Sequence, residues 1–271
     1  MLRPALRPEA PQPFRPLWRA ARAASLIVLA TLSLNPPLRA QAPADADAEA
    51  RAIVERADRI RFPADGFQVD IAISSKAPDQ GSPEARKYRV LSRGNENTIV
   101  MTVEPEADRG QIMLMRGRDL WLFMPSVSQP VRLSVAQRLT GEVANGDLAR
   151  ANFAGDYNPK LLRVDGSGAD AQQVLELSAV DRSVTYAKVL LWVKQANGQP
   201  VRAEFYSVSN RLLKTCSYEN YKQLGGALRP TRLVMEDALK KGEVSVLEYD
   251  DMKPRELPDR VFSKEYLRKL Q

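Results

Sequence analysis

The 271-residue chain contains no histidine and a single cysteine, Cys216. The first absence excludes His-dependent triads, the usual zinc-hydrolase ligand sets and the commonest general base. The second excludes an internal disulfide, even in an oxidising compartment. Glycine is sparse, at 14 residues, and forms neither a phosphate-binding loop nor a nucleophile elbow. No apolar run is long enough to span a bilayer: the uncharged run Ala23 to Leu34 has 12 residues and would rise only about 18 Å as a helix, short of the roughly 30 Å hydrocarbon core.

That run sits in an export signal. Arg3, Arg7, Arg15, Arg19 and Arg22 precede it against the single acid Glu9, Pro36 and Pro37 end it, and Ala40-Gln41-Ala42 offers small residues to a signal peptidase. The expectation is a signal peptide over residues 1–42, cleaved after Ala40 or Ala42, followed by one soluble domain over 43–271. No cysteine follows the run, so no lipid anchor is expected there. Residues 1–42 hold six of the 40 basic residues and one of the 33 acidic ones, so the remainder holds 34 and 32, and the net charge falls from +7 to +2. A pI near 9.5 would otherwise suggest nucleic acid as a partner; most of that basicity belongs to the signal.

Residues 45–61 are strong helix formers with acids first and bases last, as the helix dipole prefers. Ala50, Ile53, Val54, Ala57 and Ile60 fall at helical spacing and predict an amphipathic helix. After Pro63 and Gly66 the period becomes two, beginning with Phe67, Val69, Ile71 and Ile73. Eleven further strands are expected near 85–93, 96–104, 110–116, 118–124, 160–165, 172–180, 186–195, 200–208, 211–219, 228–237 and 243–251. The Asn197-Gly198 turn marks the clearest hairpin. Short strands on short turns imply an antiparallel barrel, open barrel or sandwich.

One insertion, residues 125–159, breaks the strand period and carries Leu133, Val135, Leu139, Val143, Leu148 and Phe153; a packed lid is expected, with Asp147 capping a short helix. Ser263 is placed to cap a closing helix, with Val261, Phe262, Leu267 and Leu270 packing on the sheet.

The charged motifs point away from catalysis and metal binding. Asp165-Gly166-Ser167-Gly168-Ala169-Asp170 has calcium-like oxygen spacing but no distal glutamate, and reads as a hairpin connection. The neighbours Glu236-Asp237 and Asp250-Asp251 would point to opposite faces of their strands. No catalytic residue, metal ligand or cofactor is therefore expected, and Cys216 reads as a buried small hydrophobe. Three strand segments are apolar on both faces: Ile112-Met113-Leu114-Met115, Leu120-Trp121-Leu122-Phe123-Met124 and Val189-Leu190-Leu191-Trp192-Val193. They imply either a filled core or a cavity for an apolar ligand, and pattern alone favours the filled core.

The run Asp119-Leu120-Trp121-Leu122-Phe123-Met124-Pro125, followed by Asn145-Gly146-Asp147-Leu148-Ala149 and Phe153-Ala154-Gly155-Asp156-Tyr157, resembles the outer-membrane lipoprotein-sorting family of the LolA and LolB type over roughly residues 48–270. The resemblance implies an open, unclosed antiparallel β-barrel, here of 11–12 strands, with helices and the lid on its concave side. It also implies a cavity for acyl chains, with Met113, Met115, Trp121, Phe123, Trp192 and Phe205 as its candidate lining and Arg132 and Arg138 as its candidate polar rim. The function implied is a monomeric, non-enzymatic periplasmic carrier or chaperone for a lipid or acylated molecule. Its partners would be that cargo, an inner-membrane transporter and an outer-membrane acceptor. A protein-binding sensor or accessory module of an envelope transporter or stress system is the alternative.

Overall fold

The computed structural model describes residues 43–270 apart from Gln80, Asn95, Ala151, Arg268 and Lys269; the expected signal peptide lies outside the described residues. Helix α1 spans Pro43–Arg61. Strands β1 (Phe67–Lys76), β2 (Glu84–Arg93), β3 (Asn97–Glu104), β4 (Ile112–Arg116) and β5 (Asp119–Phe123) follow as a meander. The insertion contributes β6 (Val131–Leu133), a small hairpin of β7 (Arg138–Thr140) and β8 (Val143–Ala144), and two short helices, α2 (Asn145–Ala149) and α3 (Phe153–Asp156). A second meander runs through β9 (Tyr157–Asp165), β10 (Gln172–Ala179), β11 (Lys188–Lys194), β12 (Pro200–Tyr206), β13 (Leu212–Leu224), β14 (Ala227–Asp237) and β15 (Val244–Pro254). A 3₁₀ turn, Asp259–Phe262, and α4 (Lys264–Leu267) end the chain, with Ser263 Oγ accepting from the Tyr266 amide at 3.2 Å.

Thirteen strands form one antiparallel sheet in the order β6-β5-β4-β3-β2-β1-β15-β14-β13-β12-β11-β10-β9, while β7 and β8 pair only with each other. The two meanders join where β1 pairs with β15, opposite Ile71 and Tyr249. β6 and β9 remain as edges, so the sheet is open. It curls nonetheless: Arg118, in the turn between β4 and β5, reaches Asp156 and Asp181 near the far edge at 3.1 and 2.6 Å. The hairpin from β11 to β12 is longer than a two-residue turn. Only Gly198 takes positive φ, and a side chain there would strike Arg56 Cδ at 2.3 Å.

The main core lies on the inner face. Phe67, Val69, Ile71 and Ile73 of β1 join Leu191 and Val193 of β11, Ala50, Val54 and Ala57 of α1, and Val135, Val143, Leu148 and Phe153 of the insertion. A smaller core lies outside, where Val261, Phe262 and Leu267 cover Ile99, Ile112 and Leu114. The outer face of the two-sided strand β4 is thus covered by the C-terminal segment, and α1 lies on the inner side. None of the described helices is long and apolar enough to cross a membrane.

Candidate functional site

The inner face of the sheet is roofed by α1 and by the insertion from Ser134 to Tyr157, and the roof is fastened by buried charge. Asp58 and Arg61 sit one turn beyond Val54 and Ala57, so they continue the buried stripe of α1, and both are under 10 % exposed. Ile53 and Ile60, expected in the stripe, are only half-buried. Arg61 donates to Asp58 Oδ1 at 3.0 Å, while Asp58 Oδ2 accepts the Ala154 amide at 2.9 Å. Arg51 donates to the Ala154 carbonyl at 2.6 Å, so α1 holds both backbone groups of one residue of α3. The Arg61 guanidinium also lies 4.1 Å from the centre of the Phe153 ring. Burial pushes the Asp58 carboxyl up to about 6, against the opposing pull of Arg61.

Two more pairs fasten α2 and α3. Arg150 grips Asp156 through two bonds of 2.5 and 2.7 Å, with side-chain exposures of 6 % and 8 %. Arg118 adds a third bond to Asp156 and one to the Gly155 carbonyl. Asp147 stands at the third position of α2 rather than at the cap itself, which is Ala144; its carboxylate reaches back to accept the Ala144 amide at 2.8 Å. It also accepts from Lys214 Nζ at 2.6 Å and from the Tyr186 hydroxyl at 2.8 and 2.9 Å. Lys214 belongs to β13 and donates as well to the Glu142 carbonyl, which ties the lid to the wall of the sheet.

Little free space lies beneath. One cavity of about 30 Å³ is bounded by Arg61, Asp147, Arg150, Phe153, Tyr186 and Tyr218, and another of about 10 Å³ lies between Arg61, Phe62 and Tyr249. The larger has room for about one water molecule. Larger clefts lie elsewhere: a polar one of about 490 Å³ and a mixed one of about 220 Å³ around Glu142, and one of about 480 Å³ between Asp65, Arg93, Pro254 and Leu257.

The six residues expected to line one apolar cavity are divided between the two faces. Met113, Met115 and Phe205 belong to the inner core. Phe123 is buried in the outer core and Trp121 packs against it, with Lys264 Nζ 5.1 Å from its ring. Trp192 faces away from Leu191 and Val193; its indole donates to Asp165 at 3.2 Å, and Arg202 lies 5.3 Å from the ring. Alternation in a strand sends neighbours to opposite faces, so a run of large apolar residues cannot all line one space. Arg132 pairs with Asp119 at the sheet edge and is largely exposed, away from the inner face. Arg138 stands 3.4 Å from Glu142 beside the two clefts that flank that residue. Cys216 is fully buried, and burial pushes its thiol up to about 12.

The buried ionic groups Asp58, Arg61, Arg150, Asp156 and Lys214 are the site residues that sequence reasoning missed. A signal exists for the first two, because a charged pair three residues apart lies in phase with the apolar stripe of α1. Lys214 sits in an alternating strand opposite Asp237, with nothing local to distinguish it from a surface lysine.

A family model described as "Uncharacterized protein" matches residues 94–269. No curated protein matches. Among solved structures, the chain is similar to a LolA superfamily protein, NE2245, from Nitrosomonas europaea, with 63% sequence identity and a TM-score of 0.76, covering 80% of this chain and 98% of that one. A domain from Vibrio parahaemolyticus named for outer membrane lipoprotein sorting is 20% identical, with a TM-score of 0.70, covering 82% of this chain and 99% of that one. A DUF1329 family protein from Desulfovibrio piger is 17% identical, with the same TM-score and the same coverage. The last two likenesses concern the fold.

Proposed function

The chain belongs to the LolA superfamily, and from that premise we propose that it is a periplasmic carrier for a lipid or acylated molecule, held in its lid-closed, cargo-free state. Residues 1–42 direct export and are then removed. What carries this reading is the fastening of the roof: three ion pairs, Arg61 with Asp58, Arg150 with Asp156 and Lys214 with Asp147, are buried where lid, helix and sheet meet. Desolvation costs several kcal/mol per ion in such pairs, and water recovers that cost when the lid lifts. The closed state is thereby kept marginal.

Lifting Ser134 to Tyr157 would expose an inner wall that includes Met113, Met115, Val189, Leu191 and Phe205. An acyl chain would then replace Val135, Leu148 and Phe153 of the lid. Burying ten methylenes is worth about 8 kcal/mol before binding costs, enough to offset the lost lid contacts. The rebuilt space offers no nucleophile paired with a base; its acids are each matched to a cation, which suits binding without chemistry.

Intact-mass analysis of protein recovered from the bacterial envelope, with fluorescent fatty-acid uptake by the purified chain, tests the proposal. A co-purifying lipid or saturable uptake supports it; absence of both sinks it. The filled interior favours one second reading, an accessory module that binds a protein partner. That reading predicts a stable partner in envelope crosslinking and no uptake of the probe.

A further inference from the structure

Glu142, in the turn of the β7–β8 hairpin, is brought by folding to Asp237 at the end of β14 and Glu243 just before β15. One carboxylate oxygen from each lies within 4.8 Å of the other two. The approach is built into the backbone. A side chain at Gly141 would meet Ser75 Oγ and Ser245 Oγ at 2.1 and 2.3 Å, and Ser245 Oγ accepts the Glu142 amide at 2.8 Å. Glu142 is therefore driven inward to 7 % exposure, and its Oε1 accepts no hydrogen bond among the described residues, with Arg138 standing 3.4 Å away as an ion-pair partner only.

A second, separate observation concerns Thr140. It is 6 % exposed, it lines the same cleft of about 490 Å³, and its Oγ1 also lacks a hydrogen-bond partner among the described residues. Two buried oxygens without a hydrogen bond in one cleft, one of them facing only the exposed Arg138, are a cost the fold carries unless something satisfies them. The cations paired with these carboxylates are Arg138 and Lys240, whose side chains are 58% and 61% exposed, while the buried Lys214 is engaged by Asp147 and the Glu142 carbonyl. The group is thus short of positive charge.

We propose that Glu142, Asp237, Glu243 and the Thr140 hydroxyl form a site for a hard divalent cation of the calcium class. All four donors are oxygens, and the open cleft admits the waters needed to complete six to eight ligands, which suits calcium better than magnesium. The bound ion joins the β7–β8 hairpin of the lid to the β14–β15 hairpin of the sheet, and so strengthens closure. The site is independent of what lies beneath the lid. Sequence reading expected no metal ligands because Glu142 and Asp237 stand far apart in the chain and neither belongs to a local loop motif.

The test is calorimetric titration of the EGTA-stripped full chain with calcium chloride and with magnesium chloride, alongside melting curves. The expected result is one calcium per chain with a dissociation constant of about 10⁻⁴ to 10⁻³ M, as in other extracytoplasmic sites, weaker binding of magnesium, and a melting temperature that climbs with calcium. Glu142→Gln and Asp237→Asn should each weaken calcium at least about tenfold, given how strongly ligand charge sets affinity. Thr140→Val, which removes no charge, should weaken it less while the calcium-free melting curve stays cooperative. No binding up to about 10 mM, well past the weakest extracellular sites, overturns the proposal. So does a calcium response that survives unchanged in Glu142→Gln and Asp237→Asn.

Discussion

Replacing Lys214 with methionine isolates the buried latch of the lid. The native ammonium sits 2.6 Å from Asp147, and both side chains are about 93% buried, at 6 % and 7 % exposure. Methionine keeps the apolar stem and removes the charge. Asp147 is then left with the Ala144 amide and the Tyr186 hydroxyl as its donors, in a site with room for about one water molecule while the lid is shut. Removing one partner of a buried pair costs about 3–5 kcal/mol. Because an open lid lets Asp147 hydrate, the penalty falls on the closed state. At ~1.4 kcal/mol per decade it shifts the lid equilibrium by about 10² to 4 × 10³ towards open. Apparent affinity for a fluorescent fatty acid should rise by that factor until the open state predominates. Melting temperature should fall at the same time. Asp147→Asn in the Lys214→Met background removes both charges and should restore closure, with tighter melting and weaker probe binding. A Lys214→Met protein that melts earlier but binds the probe no better would refute the latch, since the pair would then stabilise the core without gating it.

Other expectations follow from the same geometry. Gly146→Ala places a Cβ 2.1 Å from Thr185 Oγ1, so it should cost about 1–3 kcal/mol in urea denaturation, recovered in part by Thr185→Ala. Asp58 holds a proton in the folded state between its ordinary 3.8 and about 6, where the unfolded chain has released it. Stability should therefore fall as pH rises through that window, by up to about 3 kcal/mol at ~1.4 per pH unit, and the slope should be lost in Asp58→Asn when the two are compared by denaturation. Arg118→Ala cuts bonds from the β4–β5 turn to Asp156, Gly155 and Asp181, so hydrogen exchange should quicken in residues 152–157 with little change in melting temperature. Phe205→Ala opens space in the inner core and should destabilise by about 3–5 kcal/mol. Trp192→Ala, on the opposite face, should leave probe binding unaltered.

The strands were legible because their determinants are local. Alternation through Phe67, Val69, Ile71 and Ile73, turn glycines and the absence of long gaps located all twelve expected strands; β6, β7 and β8 escaped because two or three residues carry no period. The C-terminal cap at Ser263 and the burial of Cys216 were legible for the same reason. The facing of Trp121, Phe123 and Trp192 was not, since a strand apolar on both sides gives no hint of which side looks inward. The site was read least well. Arg150 and Asp156 are six residues apart and could pair in many loops; what makes them a latch is burial at 6 % and 8 % against Gly117 and Arg118 of the β4–β5 turn, more than thirty residues earlier in the chain.

Composition and periodicity by themselves determined that the described chain would be a β meander interrupted by one apolar insertion, with no histidine chemistry available to it. Only tertiary structure decided that β1 would pair with β15, that the insertion would fill the inner face of the open sheet, and that charges scattered from Asp58 to Lys214 would be enclosed together there. The physical reason is one of range. Strand and turn preferences act over a few residues, whereas the desolvation that turns an ordinary aspartate or lysine into part of a latch exists only once distant segments have excluded water from it.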